Sequence, residues 1–443
     1  MTQQRQADLI LSGSYLLPAS CQNAVIKNGA IAITHDQISA VGTTEQILAD
    51  YSSARHIHTD HGLIMPGLVN THTHAAMSCF RGLADDLPLM TWLEEHIFPV
   101  EAHLTPEMVY QSTLLSLAEM IKSGTTSFCD MYLFSKEVAK ATEHSGMRAW
   151  IGEVLYDFPS PCYGELENGF SYLADLYAHY KDHSLISITS DPHAVYTCSP
   201  ELLTRLGTVA QDNDSLYVIH LSENEAELNT CRERYGCTPV EHLERLGLLT
   251  PKTLAAHCVM INDKEIEVLS RRGTSVSHCQ ESNMKLASGT APVVKMLQAG
   301  VKVGIGTDGA ASNNDVDMFG EMNTVAKSHK VARMDPTAMN AEATLHASTL
   351  GGARTLNAGE QIGSLEVGKK ADMIVLNMDQ PHLTPLYNIP SHLVYAARGA
   401  DVIHSVIGGR LVMENRRLLT LDEGRILAQM REMGQEISRY GKD

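Results

Sequence analysis

The chain has 443 residues, 44% hydrophobic and 19% charged, an ordinary globular composition that argues against a disordered or fibrous protein. With 34 basic against 52 acidic side chains the net charge is −18, a sign that disfavours nucleic acid and anionic membrane as partners. Nine cysteines without a Cys-x-x-Cys pair, residues 1–6 without a leader's basic region, and no apolar run near the ~20 residues of a spanning helix predict reduced thiols in a soluble, cytoplasmic protein.

In chain order, residues 1–62 hold short apolar runs (9–11, 31–33, 38–41) joined by turn residues. Eight runs of strand length follow, at 63–74, 125–131, 148–154, 185–193, 216–222, 253–259, 274–278 and 301–308, alternating with helical stretches. Thr105-Pro106-Glu107 and Ser199-Pro200-Glu201 each offer an N-cap, a proline at the first helical position and an early acid; the first of these helices is expected to stop at Gly124. After 370 come a run at 371–376, a hairpin-like 402–412 bent at Gly408-Gly409, and a closing helix near 421–440. The pattern predicts an α/β protein: a (β/α)8 TIM-like barrel over 63–370, beside a small β-sandwich domain formed from 1–62 and 371–443. An open doubly wound sheet would gather its chemistry at one switch point, and here chemistry is spread over many strand ends.

His72-Thr73-His74 ends the first of these runs, and alternate residues of a strand share a face. His220, His257 and His278 close three further strands, and Asp308 closes the eighth. Strand ends are where barrel sites are built. His56-Ile57-His58 has the same spacing but precedes the barrel and reads as surface. Three imidazoles (His72, His74, His220) and one carboxylate (Asp308) suit zinc or another divalent first-row ion with a position left for water. Such an ion would lower the water's pKa from about 15.7 toward ~7, and Asp308 could take its proton. Glu223, three residues after His220, is a candidate proton shuttle; its bland reading is an exposed acid opening a helix. Cys258 and Cys279 read as core thiols, and no glycine-rich phosphate loop or arginine cluster is present.

Pro66-Gly67-Leu68-Val69-Asn70-Thr71-His72-Thr73-His74, His220-Leu221-Ser222-Glu223, Ala256-His257-Cys258 and Gly306-Thr307-Asp308-Gly309 resemble the amidohydrolase superfamily. Arg81-Gly82, Asp85-Asp86-Leu87, Trp92-Leu93, Pro99-Val100-Glu101, Pro192-His193 and Asp308-Gly309-Ala310-Ala311-Ser312-Asn313-Asn314 are similar to its 5-methylthioadenosine/S-adenosylhomocysteine deaminase branch. The resemblance implies hydrolytic deamination of adenine nucleosides, with one divalent ion per subunit (Zn2+, or alternatively Fe2+ or Mn2+) on His72, His74, His220 and Asp308. It further implies that Glu223 protonates the purine ring nitrogen and that His257 orients the attacking water. His193 would contact the substrate, Glu101 would accept the ribose hydroxyls, and Trp92 would wall the adenine or thioether. Relatives are often homo-oligomers, which implies a dimer or tetramer.

Two departures stand out. Many relatives follow the seventh-strand histidine with Asn or Cys and then Pro; here Cys279 is followed by Gln280. Relatives that grip an amino-acid tail carry arginines at the end of strand three and beyond, and residues 152–168 contain none, which favours methylthioadenosine or adenosine over S-adenosylhomocysteine. Arg148 opens strand three, away from the site, and reads as structural. The alternatives are a related enzyme acting on another aminated or chlorinated heterocycle (guanine or triazine type) and a non-catalytic assembly protein.

Overall fold

A computed structural model describes residues 4–19 and 25–440. Residues 1–3, part of the stretch read for a leader, and Cys21 lie outside the described residues. Two four-stranded parallel paths form the centre. The first runs through Leu68–Thr73, Thr125–Tyr132, Arg148–Leu155 and Ile186–Ile188, with Asp191–Pro192 adding a short pairing to the third strand. The second runs through Tyr217–Leu221, Thr253–His257, Ser275–His278 and Val303–Ile305. Parallel bridges Ser190–Tyr217 and Ala194–His220 join the fourth strand region to the fifth. The Asp308 amide donates to the His72 carbonyl at 3.0 Å, joining the eighth region to the first. These strands are buried almost throughout, as parallel strands flanked by helices must be.

An eight-stranded sheet combines the two ends of the chain. Its order is Arg417–Leu418, Arg410–Glu414, Val402–Ile407, Met373–Asn377, His56–Pro66, Leu9–Leu16, Ile26–Thr34, Gln37–Thr43. Alternation gives it two apolar faces: Leu9, Leu11, Ile31 and Ile33 pack on one side, Ile10, Ala30 and Ala32 on the other. The continuous strand expected over 63–74 is divided at Gly67. His56–Pro66 belongs to the eight-stranded sheet and Leu68–Thr73 to the parallel one. A Cβ at Gly67 would lie 2.0 Å from the Thr126 hydroxyl oxygen, so only glycine lets the chain cross so close to the second strand.

The helix signals act through local bonds. Thr105 accepts from the Met108 amide ahead of Pro106–Lys122, and Ser199 accepts from Leu202 ahead of Pro200–Asp212. The first helix ends at Lys122, just before Gly124 at φ +91°. Gly408 and Gly409 turn the expected hairpin, and the last helix spans Glu423–Ile437. Cys258 and Cys279 are buried free thiols whose acidity burial suppresses. No described helix is long and apolar enough to cross a membrane.

Candidate active site

His72 lies at the centre of the strand-end cluster. Its ligating atoms group with those of His74 and Asp308, and again with those of His220 and His257, each triplet within 4.8 Å. His74 Nε2 is 3.1 Å from Asp308 Oδ1 and 3.3 Å from His220 Nε2; His72 Nε2 is 3.6 Å from Asp308 Oδ1. The chain is bent into the left-handed region at Asp308 (φ +61°) and His257 (φ +71°), a strain that recurs at functional sites.

Supporting bonds fix the direction of each group. His74 Nδ1 donates to the Met131 carbonyl, His220 Nδ1 to the His193 carbonyl at 2.9 Å, and His257 Nδ1 to Asn283 Oδ1 at 2.9 Å. With Nδ1 so engaged, each ring turns its Nε2 inward. Asp308 Oδ2 accepts from Ser282 (2.6 Å) and Ser312 (2.8 Å), so Oδ1 faces His72 and His74. His72 has neither bond: both ring nitrogens are sealed from solvent without a hydrogen-bond partner among the described residues. A buried polar group left unpaired is costly, and a cation is what this N,N,N,O donor set would satisfy.

Burial drives the acidity of the protonated His72 and His220 rings well past the usual imidazole range, favouring neutral ligands. Burial opposes charge on Asp308 too, yet His74 and His257 hold its carboxyl well below the ordinary value. Glu223 is buried, not an exposed helix-opening acid; burial raises its pKa against the pull of His257, whose Nε2 lies 4.0 Å from Glu223 Oε2.

These groups open onto one cavity. His74, His220, His257, Glu223 and Asp308 line it, and so do Trp92, Glu101 and His193; His72 stands behind. Trp92 spends its N–H on the Ala84 carbonyl (3.1 Å). Tyr132 donates to Glu101 Oε1 at 2.5 Å, leaving Oε2 free of that bond, while burial raises the pKa of Glu101. Burial lowers His193 to about 3, and its Nδ1 meets the Thr197 hydroxyl at 2.8 Å. An aromatic group of Phe98, Tyr156 and Phe158 completes the wall, with Tyr156 and Phe158 stacked 3.9 Å apart.

His278 departs from the strand-end expectation. Its Nε2 lies 2.9 Å from His329 Nε2, on the helix Met318–Arg333, and it joins neither metal-competent triplet. His56 and His58 are exposed, both against the Ser12 hydroxyl. Gln280 gives its amide to Glu321 Oε1 (2.6 Å), which anchors the loop where the sequence departs from its relatives. Sequence reading missed Tyr132, Ser282, Asn283 and Ser312 as supports. The position of Tyr132 at a strand end was the available signal.

The Amidohydrolase family pattern matches residues 63–412. The chain is 53% identical to a 5-methylthioadenosine/S-adenosylhomocysteine deaminase of Syntrophobacter fumaroxidans, over 98% of this chain and 99% of that one. It is 45% identical to a 5'-deoxyadenosine deaminase of Methanosarcina acetivorans, over 97% and 98% respectively. The crystal structure of an adenosine deaminase from Xanthomonas campestris with bound zinc is 38% identical and superposes with a TM-score of 0.97, covering 99% of this chain and 100% of that one.

Proposed function

The chain belongs to the amidohydrolase family, and from that premise we propose that it is a metal-dependent hydrolytic deaminase of adenine nucleosides, with 5'-methylthioadenosine as its characteristic substrate. The observation that carries this reading is the convergence of His74, His220 and Asp308 with Glu223 and His257 on the cavity that also presents Trp92 and Glu101, with His72 directly behind them. The bridges between the fourth and fifth strand regions, with the Asp308–His72 bond, support closure of the two parallel sheets into one (β/α)8 barrel over 63–370. Residues 1–62 and 371–443 then make the small β domain, where the shared face of Leu11, Ile33, Met373 and Val406 supports a sandwich-like closure.

His72, His74, His220 and Asp308 would hold a divalent cation, Zn2+ or alternatively Fe2+ or Mn2+, which when bound supplies a Lewis acid that lowers a water's pKa from about 15.7 toward ~7. His257, fixed through Asn283, orients the attacking water, and Asp308 takes its proton. Glu223 keeps its proton because it is buried, and gives it to the ring nitrogen as the water oxygen bonds to C6. Asp308 passes the water's proton to the amino group, the C6–N bond breaks and ammonia leaves, and the C6 hydroxyl returns a proton to Glu223 as the carbonyl of the inosine analogue forms. Glu101 accepts from the ribose diol while Tyr132 holds its other oxygen, Trp92 packs against the adenine or thioether, and His193 contacts the substrate as a neutral ring. No Lys or Arg lines the cavity, which favours uncharged 5' groups over an amino-acid tail or a phosphate.

The same reading makes the protein a cytoplasmic homo-oligomer, a dimer or tetramer. Purified metal-loaded protein incubated with methylthioadenosine should release ammonia and shift the adenine absorbance to that of the inosine analogue. Absence of turnover with every 6-aminopurine nucleoside overturns the proposal. Preference for guanine or a chlorotriazine transfers it to the related heterocycle hydrolases.

A further inference from the structure

Four buried carboxylates are spent on backbone amides. Asp130 accepts from Ala75 (2.6 Å), Glu153 from Phe134 and Ser135 (3.2 and 2.7 Å), Glu227 from Ser222 and Glu223 (2.9 and 2.7 Å), and Glu321 from Gln280 and Glu281 (2.6 and 3.1 Å). Every one of these amides lies just after a parallel strand, on the segments that carry cavity side chains. Glu227 differs from the other three because one amide it holds is that of Glu223 itself.

The peptide it grips is strained. Ser222 has φ +52°, a left-handed conformation that is costly for a non-glycine residue and persists only where its surroundings over-determine it. Glu227 supplies two such restraints, one carboxylate oxygen to each amide. Its own position is set by Asn224, whose side chain caps the helix Glu225–Tyr235 by accepting from the Glu227 amide at 2.9 Å. The other side of the turn is tied to the sixth strand's loop, where the Met260 amide donates to the Ser222 carbonyl at 2.8 Å. Two oxygens of one carboxyl group, each on a successive amide, restrain both peptide units of the turn together.

We propose that Glu227 is a positioning residue for the reaction, fixing the Ser222–Glu223 peptide so that the Glu223 carboxyl stands at the cavity beside His257. The inference rests on the reading of Glu223 as the proton donor. If Glu227 acts through Glu223, its replacement matters only while Glu223 has a proton to deliver. If the clamp merely steadies a helix start, its loss does the same harm whatever stands at 223.

The test is a double-mutant cycle on the full-length metal-loaded enzyme, reading kcat, KM, bound metal and melting temperature for E223Q, E227Q and the pair. Glutamine keeps the shape of Glu227 but turns a donor against one of the two amides. E227Q is expected to lower kcat roughly 10–100-fold, the usual range for an outer-shell partner, with KM and metal content close to the parent's. The double variant is expected to be no slower than E223Q, the non-additivity of groups acting as a unit. Parent-like kcat in E227Q, with E223Q crippled, overturns the inference and leaves the proton donor in place. An equal fold-loss from E227Q in both backgrounds also overturns it, as a structural role. Parent-like activity in E223Q removes the proton-donor reading and the inference with it. Should E227Q fold poorly, E227D, which keeps the charge one methylene short of the amides, runs the same cycle.

Discussion

Opposite ends of the parallel strands bury charge in different ways. At the start of the third strand, Arg148 Nε and Nη2 meet the two oxygens of Asp372 at 2.6 and 3.2 Å, and Nη1 donates to the Ser184 carbonyl at 3.1 Å. Asp372 takes a further bond from the Gly408 amide at 2.7 Å. This ion pair is closed upon itself and ties the parallel strands to the eight-stranded sheet. At the other end, His72 has two buried nitrogens with nothing to bond among the described residues, and one oxygen of Asp130 is likewise unpaired there. Natural proteins rarely leave such groups orphaned, so a buried polar set that the chain completes reads as scaffold, and one that it leaves incomplete reads as a place for something else.

That contrast breaks if either end behaves like the other. The largest effect belongs to the incomplete end. Removing divalent metal with a chelator should abolish turnover and returning Zn2+ should restore it; His72→Ala should bind no metal and fall to background, a loss beyond the ~10²–10⁴ of a single proton-transfer group. Activity that survives both treatments would mean that the orphaned imidazole waits for nothing. Next comes the complete end. Asp372→Ala strands a buried guanidinium, which should cost about 3–5 kcal/mol in denaturant unfolding while kcat per folded, metal-loaded molecule stays at the parent's value. A lost kcat without lost stability would reverse the assignment of the two ends.

How much of this was legible depends on how far each cause lies along the chain. The caps at Thr105 and Ser199 could be read because donor and acceptor are three residues apart. His72, His74, His220 and Asp308 could be gathered because the strand rhythm alone implies that strand ends share one rim. His278 has the same local setting and went elsewhere: its partner His329 is 51 residues onward in a helix whose packing no local pattern announces. The break at Gly67 was hidden for a similar reason, since both sides of it are apolar strand and the side chain that demands glycine is Thr126. Trp92, Glu101 and His193 were reachable only through family likeness, because nothing in their spacing points to a cavity. The clamps were invisible from sequence, since a carboxylate spent on an amide looks like any other acid.

A smaller effect sharpens what the open end accepts. The cavity's titratable lining is Glu101, Glu223, Asp308 and its histidines, and the Phe98, Tyr156 and Phe158 group offers no cation. An amino-acid tail would enter with its carboxylate unpaired. The kcat/KM for methylthioadenosine should therefore exceed that for S-adenosylhomocysteine roughly 10–100-fold, about 1–3 kcal/mol of discrimination. Equal values would show that the tail lies clear of the aromatic wall.

The smallest effect probes a third arrangement, two buried imidazoles that pair with each other with no charge at all. His278 and His329 are held Nε2 to Nε2, so one ring must donate and the other accept, and a second proton would set donor against donor. Burial, with Arg333 and Lys330 adding to it, lowers His329 to about 4 from its ordinary 6.5. The folded state therefore resists a proton that the unfolded chain takes readily. A depressed folded pKa contributes stability that is present above about pH 6.5 and is lost as the pH falls toward 4. Between pH 6.5 and 5 that loss is about 2 kcal/mol for one group. His329→Gln keeps an amide donor for His278 and removes one titrating ring, so its unfolding free energy should fall less than the parent's across that window. The check is a pair of denaturation curves at each pH. Parallel declines in the two proteins would place the acid sensitivity in the strand-end histidines instead of this pair.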